Sequence, residues 1–382
     1  MKKKLIGDSE TRLFSAAEEV GFAEFLSETS KTDSWMSVAL NKTEPRALEF
    51  GPLLIGAVLA EGNFAEGVSS EAIIDTGNAH ATDNSKFAIR VDGVDYPLSK
   101  TAATAYVMRL GADAPRFNKL SSTDKQTVLQ CYTGIAANSA KILFRDEKIR
   151  AVNGENYVVM PQDKLFEAIT TMLNEKYVNW SFEGGSYCHD FTMANFTMPD
   201  QAEDILGDYS ESLKDILGKD TDMIPAITFS TSDTGLACAS VSVRLQNAND
   251  GRRVINIGSP LRMEHKSGAS VEEFSAKLSG IFAQFCDRVQ ALKSLSKITV
   301  DNPKETAENI AKKCGVSKVA LRDAIETFSL SSKQTTADEV FFVLQEALFN
   351  MRCNAKFSRY TVFQCEENIA RCLSKGFDWN RQ

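Results

Sequence analysis

The segment from Ile224 to His265 constrains the fold more than any other part of the sequence. It contains runs of apolar and β-branched residues that are separated by two turn signals, Ser232-Asp233-Thr234-Gly235 and Asn249-Asp250-Gly251. Short Asp-Gly and Gly-containing segments between such runs are typical of connections in antiparallel sheets. We therefore predict three short antiparallel strands in this segment.

In the run after the first turn, apolar residues alternate with a second set that is mostly polar. Side chains of alternate residues in a strand lie on opposite faces of the sheet, so this period of two indicates a half-buried strand. After the second turn, Val254, Ile255 and Ile257 predict its partner strand. The apolar set is Ala237, Ala239, Val241, Val243 and Leu245, and the opposite set is Leu236, Cys238, Ser240, Ser242 and Arg244.

A long amphipathic helix is predicted to follow and to cover one face of these strands. Ser270 and Glu273 have the spacing of a capping box at its start. Its apolar positions follow helical spacing and are Val271, Phe274, Leu278, Ile281, Phe282, Phe285, Val289 and Leu292.

The rest of the chain predicts an α+β fold of antiparallel sheets with covering helices. Hairpins are expected at Asp92-Gly93 and at Asp146-Glu147-Lys148. We divide the chain into a mostly helical segment at 1–65, an α+β core at 66–298 and a helical C-terminal region at 299–382.

Composition excludes a few classes of protein. The 382 residues carry a net charge of −8, which argues against a generally basic surface but permits a local basic groove. No apolar run reaches the roughly 20 residues that a membrane-spanning helix needs, and the basic N-terminus lacks the apolar stretch of a signal peptide. The eight cysteines are scattered and form no Cys-x-x-Cys, which favours a reduced, cytoplasmic protein without disulfides.

A cluster of basic residues occupies the strand segment, with Asp250 and Glu264 as the acidic residues near it in sequence. On a sheet face or rim, these side chains could follow a phosphate backbone. The alternative is a solvated strand edge, where charges prevent edge-to-edge pairing. The predicted DNA-binding residues here are Arg244, Arg252, Arg253, Arg262, His265 and Lys266.

A second candidate DNA-binding element is the helix-turn-helix pattern at 309–321. Small Ala311 permits close helix approach, Gly315 makes the turn, Ser317 caps the second helix and Leu321 packs inward. The reading helix would present Lys318 and Arg322 to DNA, but it also carries Asp323 and Glu326, which phosphates repel. A plain helical hairpin has the same pattern.

No sequence motif indicates catalysis, a metal or a cofactor. In Cys188-His189-Asp190, neighbouring side chains on a strand point to opposite faces, so the thiol and imidazole cannot easily act together. Neither a phosphate-binding loop nor a dinucleotide-binding glycine motif is present. We therefore predict a non-enzymatic protein with no cofactor and no metal.

Two blocks of the chain resemble the phage/plasmid-like protein family, a domain of unknown function, over about residues 98–350. The family segment Arg-Ala-x-x-Ser-Asp-Arg-Tyr is similar to 150–157 at its ends, Arg150-Ala151 and Tyr157, but not in its middle. A later family pattern is similar to Ser232-Asp233-Thr234-Gly235, Arg244-Leu245, Asp250-Gly251 and His265, although the family's Cys is absent near Asn247. The resemblance implies a phage or other mobile-element protein in a bacterial host cell, without defining an activity.

Two functions remain open from the sequence. The first is binding of single-stranded DNA in recombination or annealing by a homo-oligomer, because the strand-strand-strand-helix unit is similar to that of single-strand annealing proteins. The second is a structural or assembly protein that acts through protein–protein contacts without nucleic acid, which the acidic balance favours.

Overall fold

The structure is a computed structural model that describes residues 10–47, 84–249, 253–258, 260–331 and 333–381. Its strands are β1 (Arg12–Phe14), β2 (Ser34–Ala39), β3 (Glu44–Ala47), β4 (Asn84–Val91), β5 (Val94–Ser99), β6 (Ser139–Arg145), β7 (Lys148–Gly154), β8 (Ser181–Cys188), β9 (Phe191–Thr197), β10 (Met223–Thr231), β11 (Ala239–Asn247), β12 (Val254–Asn256), β13 (Leu261–Met263), β14 (Thr299–Val300) and β15 (Thr335–Thr336). Its helices are α1 (Glu19–Thr32), α2 (Lys100–Leu110), α3 (Ser122–Ile135), α4 (Gln162–Lys176), α5 (Ala202–Leu206), α6 (Tyr209–Leu217), α7 (Val271–Leu278), α8 (Ile281–Ser294), α9 (Pro303–Cys314), α10 (Lys318–Thr327), α11 (Ala337–Arg352) and α12 (Arg359–Ala370).

The predicted α+β class with a helical C-terminal region is confirmed. The N-terminal segment differs from its mostly helical prediction, since residues 10–47 contain α1 together with β1, β2 and β3. These strands pair with strands from the middle of the chain, so this segment belongs to both large sheets.

The larger sheet has the strand order β1-β8-β9-β10-β11-β12, and β13 also pairs with β11. Its pairs are antiparallel, as predicted; Ile227 of β10 lies opposite Val243 of β11. The region after the second turn contributes two short strands, β12 and β13, where the sequence predicted one. Within that turn, Asp250 and Gly251 lie outside the described residues.

One face of β11 packs in the main hydrophobic core. Val241 and Val243 belong to the same buried cluster as Phe274 of α7 and Phe285 of α8. This arrangement confirms the predicted apolar face and its helical cover.

The covering helix is broken, so the prediction of one long helix was wrong. Ser279 and Gly280, both weaker helix formers than alanine, separate α7 from α8. The predicted start is confirmed, because the Ser270 Oγ accepts a hydrogen bond from the Glu273 N–H at 3.1 Å. Phe282, predicted to face the core, is 36% exposed.

The polar face of β11 is also buried, so the prediction of a half-buried strand was wrong. Every residue of β11 is buried. Helix α12, which lies far along the chain, covers the polar face and contacts Arg244 through Glu366 and Phe363.

The smaller sheet has the order β2-β6-β7-β5-β4-β3 and a separate core beneath α2 and α3. Its pairs are antiparallel except for β5 and β7, which are parallel. Both predicted hairpins are confirmed. Positive φ angles at Asp92 (49°) and Gly93 (86°), and at Asp146 (53°) and Glu147 (57°), suit the tight turns that match strand twist.

A buried polar network joins the two sheets. Arg145 at the end of β6 donates hydrogen bonds to Asp33 at 2.5 and 2.6 Å, to Asp233 at 2.8 Å and to the Tyr187 hydroxyl at 2.7 Å. Asp233 belongs to the Ser232–Gly235 turn, and its carbonyl accepts a hydrogen bond from Asn153 of β7 at 3.0 Å. The first predicted turn is therefore a buried joint between the sheets.

The C-terminal helices pack around α11, in which every residue from Val340 to Leu348 is buried. The predicted helical hairpin is formed by α9 and α10. Gly315 ends α9 with a φ of 80°, and Ser317 precedes α10 without a side-chain capping bond. Ala311 and Leu321 are buried, as the pattern predicted.

Candidate anion-binding site

The arginines that were predicted to form a basic rim are paired with glutamates of the C-terminal helices. These glutamates lie far along the chain from the strands, so proximity in sequence does not reveal them. The pairs are Arg244–Glu366 at 2.7 Å, Arg253–Glu346 at 3.0 Å, and Arg262–Glu367.

The other predicted residues of the strand cluster lie apart from these pairs. His265 is buried; its ring stacks on Tyr157 at 4.7 Å, and its Nδ1 lies 2.9 Å from the Val158 carbonyl oxygen. Lys266 is exposed and pairs with Glu264. Arg252 lies outside the described residues.

Lys318 and Arg322 are both exposed on α10, as a DNA-reading helix requires. Arg322 forms an ion pair with Asp323 at 3.2 Å, and this acidic neighbour lowers the local positive charge. DNA reading by this hairpin stays a prediction.

A cavity of about 410 Å³ lies between the polar face of the larger sheet and α12. We call it the arginine cavity. Among the predicted basic residues that the structure describes, Arg244 alone lines it. Its lining residues are Glu183, Met193, Asn195, Arg244, Gln246, Val254, Arg352, Phe357, Arg359, Val362, Phe363 and Glu366.

Glu366 is held between two arginines at this cavity. Its Oε2 lies 2.7 Å from Arg244 Nη2, and its Oε1 lies 2.7 Å from Arg352 Nε. Burial alone would raise the pKa of Glu366, but the two guanidinium groups outweigh burial and hold the pKa below its ordinary value. Two positive charges therefore surround one negative charge.

Arg244 has a donor that the described part of the protein does not use. Arg244 is only 4% exposed, and burial lowers the pKa of its guanidinium. Nη2 pairs with Glu366 at 2.7 Å, whereas Nε has no hydrogen-bond acceptor among the described residues. Buried donors in folded proteins almost always have acceptors, so Nε is placed to bind a ligand oxygen.

Arg359 adds a third guanidinium at the cavity. It is exposed in the first turn of α12 and has no ion-pair or hydrogen-bond partner among the described residues. Partial burial lowers the pKa of Arg359, and no nearby carboxylate opposes that shift. Arginine stays charged at neutral pH, so this charge is available to a ligand.

The remaining walls combine aromatic and amide groups. Phe357 is half-buried, Phe363 is buried, and the Arg244 guanidinium lies 5.9 Å from the Phe363 ring centroid. Asn195 and Gln246 supply amides from the sheet side. Such walls suit an anionic ligand that also carries a planar apolar group.

A second pocket, of about 220 Å³, adjoins the arginine cavity through the shared residue Phe363. Arg262, Glu367 and Tyr360 are among its lining residues. We call the two cavities together the α12 groove. It brings Arg244 and Arg262 of the predicted cluster to one side of the sheet.

In the Cys188-His189-Asp190 segment, the His189 Nδ1 lies 3.3 Å from the Tyr187 hydroxyl. The Cys188 thiol donates to the Phe191 carbonyl oxygen at 3.3 Å, and burial raises the pKa of this thiol. Across the part of the chain that the structure describes, no group of three or more His, Cys, Asp or Glu residues could hold a metal ion.

Sequence reasoning missed Arg352, Arg359, Phe357 and Phe363. The C-terminal region was interpreted from its apolar helical spacing, which does not indicate which helix lies over the sheet. A signal was present, because basic and aromatic residues are interspersed from 349 to 363, as they are in many nucleic-acid-binding surfaces.

Comparisons with protein-family models, with curated proteins and with solved structures give no match. The resemblance to the phage/plasmid-like family therefore stays a prediction. Within the described ranges, no helix has both the length and the apolar character needed to span a membrane.

Proposed function

We propose that this protein binds single-stranded DNA in the α12 groove and does not catalyse a reaction on it. The observation that carries the proposal is Arg359, which has no acidic partner among the described residues and lies at the same cavity as Arg244 and Arg352. Three guanidinium groups face the two carboxylates of Glu183 and Glu366, so the cavity keeps a positive charge.

The chemistry of the groove supports a strand whose bases are accessible. Proteins that bind single strands combine positive charge for the backbone with aromatic side chains for the bases. Phe357 and Phe363 provide the aromatic part, and the three arginines provide the charge. In a duplex, stacked and paired bases could not reach these rings.

Recombination or annealing is the process that we propose, in the cytoplasm of a bacterial host and by a homo-oligomer. Strands β10, β11, β12 and β13 precede α7, so the unit has the strands-then-helix arrangement of single-strand annealing proteins with one strand more than the predicted three. This support is a fold-level analogy, since function depends on the site and not on the fold.

Fluorescence anisotropy of a labelled oligothymidine tests the proposal. We expect binding at low salt that weakens as salt rises, because arginines displace counterions from the phosphates. A duplex of the same length should bind more weakly. An anisotropy that stays constant at low salt and high protein concentration would rule the proposal out.

A second candidate is an assembly protein that acts without nucleic acid. It is favoured by the glutamates that neutralise Arg244, Arg253 and Arg262, because these pairs leave less charge for phosphates. Light scattering across a concentration series would support it if stable oligomers form while oligothymidine does not bind. A monomer at high concentration would exclude it.

A further inference from the structure

We infer that the arginine cavity is a subsite for one nucleotide unit, with its phosphate on the arginines and its base against the phenylalanines. This inference rests on the proposed function and specifies the ligand of the same site. The unit can belong to a DNA strand or be a free mononucleotide, since both offer the same phosphate and base.

The size of the cavity favours one unit over a longer stretch of strand. Its volume is about 410 Å³, near the lower end of the roughly 300–1,000 Å³ that is usual for small-ligand sites. The adjoining pocket, of about 220 Å³, is smaller. A strand that follows the groove would therefore place a single nucleotide inside the cavity and its neighbours outside.

The arginines favour phosphate as the anionic group. A guanidinium presents several donors in a plane and matches phosphate oxygens in pairs. The Arg359 guanidinium lines the cavity without a partner among the described residues, and Arg244 offers Nε from the interior. A phosphate between them would both satisfy the buried donor and offset the remaining positive charge.

The walls favour a planar base as the other part of the ligand. Phe357 and Phe363 present rings to the cavity, and Asn195 and Gln246 present amides from the sheet. Rings stack on any base, and amides can bond to base edges. Inorganic phosphate alone would leave these walls unused, so we expect it to bind more weakly than a nucleotide.

Isothermal titration calorimetry with thymidine monophosphate, thymidine and inorganic phosphate tests the inference. We expect one molecule of thymidine monophosphate to bind per chain, more tightly than thymidine or phosphate. Arg359→Gln removes an exposed charge without an internal partner, so it should leave folding intact and weaken nucleotide binding by about tenfold. Lys356→Gln is the matched control, because Lys356 is exposed nearby and does not line the cavity.

Phe357→Leu separates the base contact from the phosphate contact. The variant should bind thymidine monophosphate more weakly but keep an unchanged affinity for inorganic phosphate. Equal losses for both probes would contradict a base against Phe357, and circular dichroism melting would verify that each variant is folded.

Competition with labelled oligothymidine distinguishes the inference from the proposed function. If oligothymidine binds and Arg359→Gln weakens that binding, but thymidine monophosphate neither binds nor competes, the inference fails and the function stands. If Arg359→Gln binds oligothymidine normally, the groove is not the DNA site and both fail. If thymidine monophosphate binds and oligothymidine does not, the subsite stands with a free nucleotide as its ligand, and the function fails. If neither binds, both fail.

Discussion

Glu366 keeps its negative charge inside the protein because Arg244 and Arg352 compensate for it. Glu366→Gln removes the carboxylate that two largely buried guanidinium groups share, and breaking such a pair costs about 3–5 kcal/mol. We expect the midpoint of urea unfolding at neutral pH to fall accordingly. Glu326→Gln, at an exposed position without a partner among the described residues, should leave the midpoint unchanged.

The same pair gives a pH dependence with a definite sign. The pKa of Glu366 is lowered in the folded state, so its contribution to the free energy of unfolding is present above its ordinary pKa of 4.5. That contribution is lost as the pH falls through the folded value. The stability difference between the wild type and Glu366→Gln should therefore shrink on acidification below 4.5. A constant difference would contradict this assignment.

His265 is a second residue whose titration reports on its surroundings. Burial lowers its pKa from 6.5, although the Val158 carbonyl and the charge of Asp233 oppose the shift. We expect an NMR titration to show an imidazole with a pKa below 6.5, and His265→Asn to remove that resonance. Because the unfolded chain binds the proton more readily, this residue lowers stability as the pH falls below 6.5. A resonance that titrates at or above 6.5 would contradict burial as the dominant influence on this pKa.

At the scale of elements, the local patterns were the most predictable. The two hairpin turns, the Ser270 cap and the alternation of β11 depend on residues close in sequence, and the structure contains all of them. Partners far along the chain were not predictable in this way. The burial of the polar face of β11 depends on α12, and nothing within 224–265 indicates that helix.

The candidate site was likewise predictable from the sequence only where its residues lie close together along the chain. Arg244 was predicted because it belongs to a locally dense basic segment. Glu366, which neutralises it, and Arg359, which restores positive charge, come from α12. Strand β11 therefore supplies two of the residues that line the cavity, Arg244 and Gln246, and the packing of a distant helix decides whether the Arg244 charge is available.

The hairpin of α9 and α10 supports a prediction of its own. If α10 reads duplex DNA, Lys318→Glu with Arg322→Glu should abolish binding of duplex in an electrophoretic shift, because both side chains are exposed on that helix. Lys297→Glu with Lys356→Glu changes the net charge equally at other exposed positions and should weaken binding much less. Unchanged duplex binding in the α10 variant would leave the element as a plain helical hairpin.

At the scale of the whole molecule, two hydrophobic cores share one chain. The larger core lies between the larger sheet and its helices, and the smaller core lies beneath α2 and α3. The contact between the sheets includes the network around Arg145, which connects Asp33 before β2 with Asp233 after β10. We infer that this ion network couples the stability of the smaller sheet to that of the larger one.

Arg145→Met tests this coupling. The variant leaves Asp33 and Asp233 buried near each other without their shared cation, and burial already raises the pKa of Asp33. We expect the free energy of unfolding to fall by about 3–5 kcal/mol, which is typical when one partner of a buried pair is removed.

Hydrogen exchange followed by mass spectrometry should show β6 and β7 losing more protection than β10 and β11, because the smaller core has fewer buried side chains among the described residues. Arg90→Met is the control, since Arg90 is partly exposed and pairs with Asp95 inside the smaller sheet. Equal losses of protection in both sheets would mean that the molecule unfolds as one unit. Arg145 would then not be a joint between two separately unfolding sheets.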